Sequence, residues 1–249
     1  MIRIWHQSMN ELDHITAYRD ALVAQAAEIL PADVAVDVHG LASGTYGGAS
    51  PTAALGNAVS YHRALSQVID LAIAAEADGY AAFVIGSFSE PFLREIRTAV
   101  DIPVVSMTEA SLLTACTLGR NIALISNAPN VQWLTQMSVD KHHLEARVLT
   151  VTSLDPPVDE FGLADAYADP RPVVENFTAV ARRLIADGAD VIIPAEGVLA
   201  RLLSQASLTR IGEAPVLDVF ATAWTQALML IRLWDTTGLR VGREWSYRR

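Results

Sequence analysis

The residues from Ala77 to Ser87 read ADGYAAFVIGS, and the residues from Ala186 to Glu196 read ADGADVIIPAE. In each segment a glycine that ends a helix-like stretch precedes a short run of β-branched and apolar residues. This pattern predicts a helix end, a tight turn and a buried strand. An offset of 109 residues, from Gly79 to Gly188, superposes the two segments and brings Ser87 onto Glu196. The repetition indicates an internal duplication.

On either side of these segments, short β-branched runs alternate with longer stretches rich in alanine and leucine. Such alternation is typical of βαβ units, so we predict an α/β fold in which helices cover parallel sheets. The strands form two groups of four, and the predicted strands are 2–5, 34–38, 81–85, 104–106, 122–126, 147–151, 190–193 and 216–218. Two duplicated halves that face each other would place Ser87 and Glu196 on opposite walls of one cleft.

Composition excludes several classes of protein. Of the 249 residues, 51% are hydrophobic and 18% are charged, so the chain can bury a sizeable core without disulfides. A formal net charge of −10, without clustered basic and aromatic residues, argues against a nucleic-acid partner. The single cysteine, Cys116, allows neither an intrachain disulfide nor a cysteine zinc site, as expected for the cytoplasm. No segment resembles a signal peptide or a membrane span, so we expect neither secretion nor membrane insertion.

Several residues lie at or beside the predicted strand ends, where ligands bind in open parallel sheets. The residues that we expect to contact a small-molecule substrate are His6, Gln7, Ser8, Thr45, Phe88, Thr108, Ser126, Asn127 and Gly197. Helix capping is the alternative for each hydroxyl or amide taken singly, because these groups satisfy the free amides of a helix N-terminus. No metal site is predicted, since His142 and His143 lack partners at metal-binding spacing. Substrate choice is expected to depend on the loops 40–51 and 154–170.

Three motifs then suggest a family. The segments VIGSFSEP (84–91), IPVVSMTEA (102–110) and DGAD to GVLA (187–200) occur in this order and resemble the aspartate/glutamate/hydantoin racemase superfamily, nearest its hydantoin racemase branch. The resemblance covers most of the chain. It implies two Rossmann-like lobes related by a pseudo-twofold axis, an active site in the cleft between them, no cofactor and a homo-oligomer. Lobe one is expected to comprise residues 1–107 plus 215–249, and lobe two residues 108–214.

The sequence departs from that family at both catalytic positions. Each lobe of the family contributes a cysteine just after a strand, and the two thiols exchange protons on opposite faces of the substrate. Here Ser87 stands at the first position and Glu196 at the second. A serine hydroxyl is not ionised near neutral pH without an activator, whereas a carboxylate is a base as it stands. The unequal pair predicts chemistry on one face, with Glu196 as general base.

Three one-sided reactions fit such a cleft. In hydrolysis, Glu196 would deprotonate water while Ser87 holds the developing oxyanion; in lyase chemistry, the same hydroxyl would hold an enolate. A covalent route with Ser87 as nucleophile ranks lower, since no histidine is fixed as intermediary. We therefore expect a cofactor-independent hydrolase or lyase that acts on a small carbonyl compound, such as a hydantoin-like ring, a cyclic amide, or an amido or keto acid. The alternatives are a racemase or epimerase that uses Ser87 and Glu196 as an acid/base pair, and a non-catalytic small-molecule binding protein.

Overall fold

The computed structural model describes residues 1–248, along which strands and helices alternate. The strands are β1 (Ile2–Ser8), β2 (Val34–His39), β3 (Ala82–Gly86), β4 (Val104–Ser106), β5 (Ile122–Ser126), β6 (Val148–Ser153), β7 (Val191–Pro194), β8 (Arg210–Ile211) and β9 (Ala214–Pro215). The helices are α1 (Thr16–Ile29), α2 (Pro51–Leu55), α3 (Ala58–Leu65), α4 (Gln67–Ala77), α5 (Leu93–Ala99), α6 (Met107–Leu118), α7 (Pro129–Lys141), α8 (Glu160–Asp165), α9 (Arg171–Ala186), α10 (Gly197–Gln205) and α11 (Val219–Thr237).

Two parallel sheets form the two lobes. The first sheet has the strand order β2-β1-β3-β4, and the second has the order β6-β5-β7. All pairings within these two sheets are parallel. The strands β3 and β5 are buried along their whole length, as their continuous apolar runs require when helices cover both faces of a sheet. The predicted α/β fold with parallel sheets in two lobes is confirmed.

The repeated segments have the same local geometry. Helix α4 ends at Ala77 and α9 at Ala186, and the glycines that follow, Gly79 and Gly188, have φ angles of +78° and +104°. Such left-handed conformations favour glycine, because a Cβ atom is strained there. The next strands begin at Ala82 and Val191, which are again 109 residues apart.

Two strand predictions need correction. Strand β1 extends to Ser8, three residues beyond the predicted end, because it pairs with both neighbours there: Gln7 opposite His39 and Ser8 opposite Gly86. The predicted eighth strand, 216–218, is reduced to a single bridge between Val216 and Ile192. It stops there because the side chain of Asp218 accepts the amide of Ala221 and begins helix α11.

One continuous hydrophobic core includes Ile4 of the first sheet, Ile193 of the second and Trp224 of α11. Helix α11 packs against β3, β4 and α6. The division into residues 1–107 plus 215–249 and 108–214 stays a prediction, and Arg249 lies outside the described residues. No helix within residues 1–248 combines the length and apolarity needed to cross a membrane.

Candidate active site

A small cavity lies at the carboxyl ends of strands from both sheets. Its walls come from the segments that follow β1, β3, β5 and β7 and from helices α2, α7 and α8. Its volume is about 70 Å³, several times the roughly 10–15 Å³ that one water molecule requires. Ser87 reaches it from the first sheet and Glu196 from the second. The fold therefore brings the two residues of the duplicated motif to one site.

Glu196 lies between β7 and α10, where it both caps the helix and lines the cavity. Its Oε1 accepts the amide of Val198 at 3.0 Å, and its Oε2 accepts the amide of Leu199 at 2.6 Å. Burial raises the pKa of Glu196 to about 8, with a further contribution from the charge of Glu160, while the helix amides oppose the rise. A carboxyl group with this pKa can both give and take a proton near neutral pH.

Ser87 follows β3 directly and is partly buried. Its Oγ lies 2.9 Å from the Oγ of Ser89 and accepts the Ser89 amide at 3.2 Å. The hydroxyl of Thr108 donates to the Ser87 carbonyl oxygen and so supports the backbone from behind. The partner of the Ser87 hydroxyl is thus another hydroxyl, which is not a base near neutral pH. Ser87 is suited to donating a hydrogen bond.

A second carboxyl group, that of the buried residue Glu160, also lines the cavity, and the sequence reasoning missed it. Glu160 begins α8, and its oxygens accept the Thr52 amide at 3.0 Å and the Thr52 hydroxyl at 2.7 Å. Burial raises the pKa of Glu160, and these bonds oppose the rise. The only available signal was its position in the loop 154–170, because no motif or spacing marks it.

The predicted contact residues divide into two groups. Phe88, Ser126, Asn127 and Gly197 line the cavity together with Ser87 and Glu196. The residues that do not line it are His6, Gln7, Ser8, Thr45 and Thr108. Their direct contact with a substrate stays a prediction.

Three residues of the second group lie inside β1 and are fully buried. The Nδ1 of His6 accepts the indole N–H of Trp224 at 3.3 Å, and burial lowers the pKa of His6 to about 3. Gln7 bonds to the Trp5 indole, and the hydroxyl of Ser8 accepts the amide of Asn10. Because the strand continues to Ser8, the next residue pair along the chain, Met9 and Asn10, reaches the cavity instead.

The loop that carries Ser87 is held by Glu90, whose side chain is fully buried. Its carboxylate accepts the hydroxyl of Ser106, the Nε2 of His142 at 2.8 Å and the Nζ of Lys141 at 2.8 Å. Burial raises the pKa of Glu90, but the bonds to His142 and Lys141 outweigh this effect, so the pKa lies below its ordinary value. The cluster fixes the loop to α7 and the end of β4.

Comparisons with known proteins agree with this architecture. The family model described as Asp/Glu/hydantoin racemase matches residues 16–227. A hydantoin racemase from Pseudomonas sp. (strain NS671) is 27% identical over 119 residues, which are 47% of this chain and 46% of that protein, so the match spans about half of this relative.

Two solved structures share the fold across almost the whole chain. Allantoin racemase from Klebsiella pneumoniae has a TM-score of 0.80 and 19% identity, covering 99% of this chain and 93% of its own. Allantoin racemase from Pseudomonas fluorescens has a TM-score of 0.79 and 22% identity, covering 99% and 96%. At these identities the likeness shows the fold alone.

Proposed function

Because the chain belongs to the Asp/Glu/hydantoin racemase family, we propose that it is a cofactor-independent enzyme that transfers a proton at the carbon next to a carbonyl group in a small, uncharged amide or ureide. One observation carries the proposal: Glu196 is a partly buried carboxyl group in the cavity wall, and its pKa is about 8. An ordinary thiol has a pKa of about 8.5. Glu196 therefore has a pKa close to that of an ordinary thiol, the group that the resemblance implies at this position.

The reaction begins when ionised Glu196 removes the proton from the carbon. The electron pair of the broken C–H bond moves onto the carbonyl oxygen and gives an enolate. The hydroxyl of Ser87 reaches the cavity from the other sheet. It can donate a hydrogen bond to the enolate oxygen. Alternatively, its O–H proton passes to the other face of the carbon; water then reprotonates the Ser87 oxygen, and Glu196 releases the proton it took to solvent. Return of a proton to the other face inverts the centre, which is the outcome that the names of the racemase relatives favour.

Hydrolysis of an amide or ring carbonyl is the second candidate, and the environment of Ser87 favours it. The hydroxyl of Ser87 is paired with the hydroxyl of Ser89, so its side of the cavity contributes no base through that bond. In this reaction Glu196 removes a proton from water, the resulting hydroxide adds to the carbonyl carbon, and Ser87 stabilises the oxyanion. The oxyanion then reforms the carbonyl group, the C–N bond breaks, and protonated Glu196 returns its proton to the leaving nitrogen. The preference for hydrolase or lyase chemistry that the sequence suggests stays a prediction.

Proton NMR in D2O separates the two reactions. The panel contains 5-substituted hydantoins, allantoin and cyclic imides, each incubated with the wild type, Glu196→Gln and the control Glu175→Gln, which changes an exposed residue of α9. Loss of the α-proton signal with loss of optical rotation indicates isomerisation, and new product signals indicate hydrolysis. The Glu196→Gln rate should fall by about 10²- to 10⁴-fold, while the control keeps its rate. Equal rates in all three proteins, or no reaction of any compound, would contradict the proposal.

A further inference from the structure

The cavity contains a hydrogen-bonded chain that leads from Asn127 to Glu160. The Nδ2 of Asn127 donates to the Oγ1 of Thr52 at 2.7 Å and to the Val158 carbonyl at 3.1 Å. The hydroxyl of Thr52 in turn donates to Glu160 at 2.7 Å. A hydroxyl has one proton, so its donation to Glu160 requires that the amide nitrogen of Asn127 be the donor. The chain fixes the orientation of both side chains.

This orientation leaves an unused acceptor in a fully buried residue. Both N–H groups of the Asn127 amide have partners, and its Oδ1 is buried without one. A buried acceptor without a partner destabilises the folded protein, and a ligand that donates to it recovers that free energy. The Glu160 carboxylate accepts two bonds from Thr52 and one from its own amide, and two carboxylate oxygens offer about four lone-pair sites, so acceptor capacity remains. Both residues line the cavity and are buried, so a ligand that enters it lies beside two residues with unused acceptor capacity.

The charge of the cavity points to the same ligand class. Within residues 1–248, the side chains that line it include Glu160 and Glu196 and no lysine, arginine or histidine. The N-terminus of α10 would attract a substrate anion. Its amides at Val198 and Leu199 are already bonded to Glu196. A substrate carboxylate in this cavity would therefore have no cationic side chain beside it. It would lie near two acidic residues and near a helix N-terminus whose amides are already bonded to Glu196.

We infer that Glu160 and Asn127 form an acceptor subsite that binds an N–H donor of a neutral substrate, such as an amide, imide or ureide nitrogen, and that disfavours carboxylate substrates. The inference deepens the proposed function and rests on it for the identity of the cavity as the substrate site. Thr52 is a positioning residue in this subsite, because its hydroxyl bonds to the Asn127 amide nitrogen and to Glu160 and so fixes the orientation of both side chains.

Titratable groups from several elements surround the two glutamates. The titratable side chains that face the pair are Asp159 and Tyr46 near Glu160, and Tyr18 and Tyr167 near Glu196, with Arg201 facing both of the latter tyrosines. Burial raises the pKa of each of these three tyrosines, so they stay neutral. Ionising one glutamate makes it harder to ionise the other.

Binding of three probes tests the subsite without any need for turnover. Hydantoin carries two N–H groups, 1,3-dimethylhydantoin carries none, and malonate carries two carboxylates. We expect hydantoin to bind the wild type at least about tenfold more tightly than either other probe, as measured by ligand NMR titration. The variants Glu160→Gln and Asn127→Leu should each weaken hydantoin binding by about tenfold, whereas Glu175→Gln should not change it.

Three outcomes would overturn the inference: equal affinity for hydantoin and its dimethyl derivative, tighter binding of malonate, or no binding of hydantoin. The comparison of probes on the wild type needs no variant, so it stands even if a substitution impairs folding. The result is also distinguishable from that of the proposed function. Selective hydantoin binding without exchange or product formation would support the subsite and contradict the enzyme, and turnover with equal binding of the neutral probes would do the reverse.

Discussion

The stability of the protein should depend on pH through Glu196. Its pKa is raised from an ordinary value of 4.5 to about 8, chiefly by burial, so the folded state favours the protonated form. The stabilisation from this protonation is complete below pH 4.5 and is lost as the pH rises through about 8. At about 1.36 kcal/mol per pKa unit, the full difference is about 5 kcal/mol. About 3 kcal/mol of this stabilisation is lost as the pH rises from about 5 to about 7.5.

The variant Glu196→Gln removes this dependence because glutamine does not ionise. Glutamine also weakens the cap of α10, since only one of its two polar atoms can accept the amides of Val198 and Leu199. The loss of this cap is independent of pH. The prediction therefore concerns how the free energy of unfolding changes with pH, not its absolute value. The free energy of unfolding of the wild type should fall by about 3 kcal/mol relative to the variant between about pH 5 and pH 7.5.

Urea denaturation at a series of pH values measures both curves. The m-value should be the same for both proteins, so that the difference in midpoint reports stability. Glu175→Gln, at an exposed position on α9, serves as the matched control and should run parallel to the wild type. If the curves of the wild type and Glu196→Gln also run parallel within about 0.5 kcal/mol, Glu196 is not a carboxyl group of raised pKa, and the proposed acid–base role fails with it.

Three further perturbations test the surroundings of the site. Gly86→Ala should lower stability by about 1–3 kcal/mol in a thermal melt, because a Cβ there would clash with Nε2 of buried His6. Gly242→Ala, whose Cβ would have no neighbour within 4 Å, is its control, and equal losses of stability would refute the clash. Burial lowers the pKa of His6 from 6.5 to about 3, so the free energy of unfolding of the wild type should fall relative to that of His6→Gln as the pH falls below 6.5. A difference in free energy that stays constant with pH would contradict this. Glu90→Gln should lower the free energy of unfolding by about 3 kcal/mol or more, because His142 and Lys141 would lose their anionic partner. The lowered pKa of Glu90 means that its contribution is present above pH 4.5 and lost in acid, so the gap to Glu90→Gln should narrow there; a gap that widens would refute the assignment.

Sequence predicts the repeated units well because their determinants are local. A glycine in the left-handed conformation ends each helix at Gly79 and Gly188, and an apolar strand follows at the same spacing. The strand ends are less predictable because tertiary pairing sets them. Ser8 looks like a loop residue, yet its strand continues because β3 pairs with it at Gly86.

The candidate site divides in the same way. Ser87 and Glu196 are predictable, because each follows a strand whose position the sequence defines. Glu160 is not, because it reaches the cavity through a contact with Thr52, which lies 108 residues away in sequence. The acceptor role of Asn127 depends on the same contact, since Thr52 orients its amide. Residues brought in by long-range packing leave no spacing pattern to read.

The unequal chemistry of Ser87 and Glu196 has a counterpart in the backbone on the two sides of the cavity. Helix α10 begins directly after Glu196, so two of its amides stabilise a negative charge on this residue. The effect of burial is larger, and the pKa of Glu196 is raised. On the other side, the next helix, α5, begins only at Leu93, and the intervening loop is fixed by the buried carboxylate of Glu90. A charge at Ser87 would have no helix N-terminus directly after it. The structure thus favours an ionisable group on the β7 side and a neutral donor on the β3 side. We therefore expect the new thiol of Ser87→Cys to form a thiolate less readily than that of Glu196→Cys.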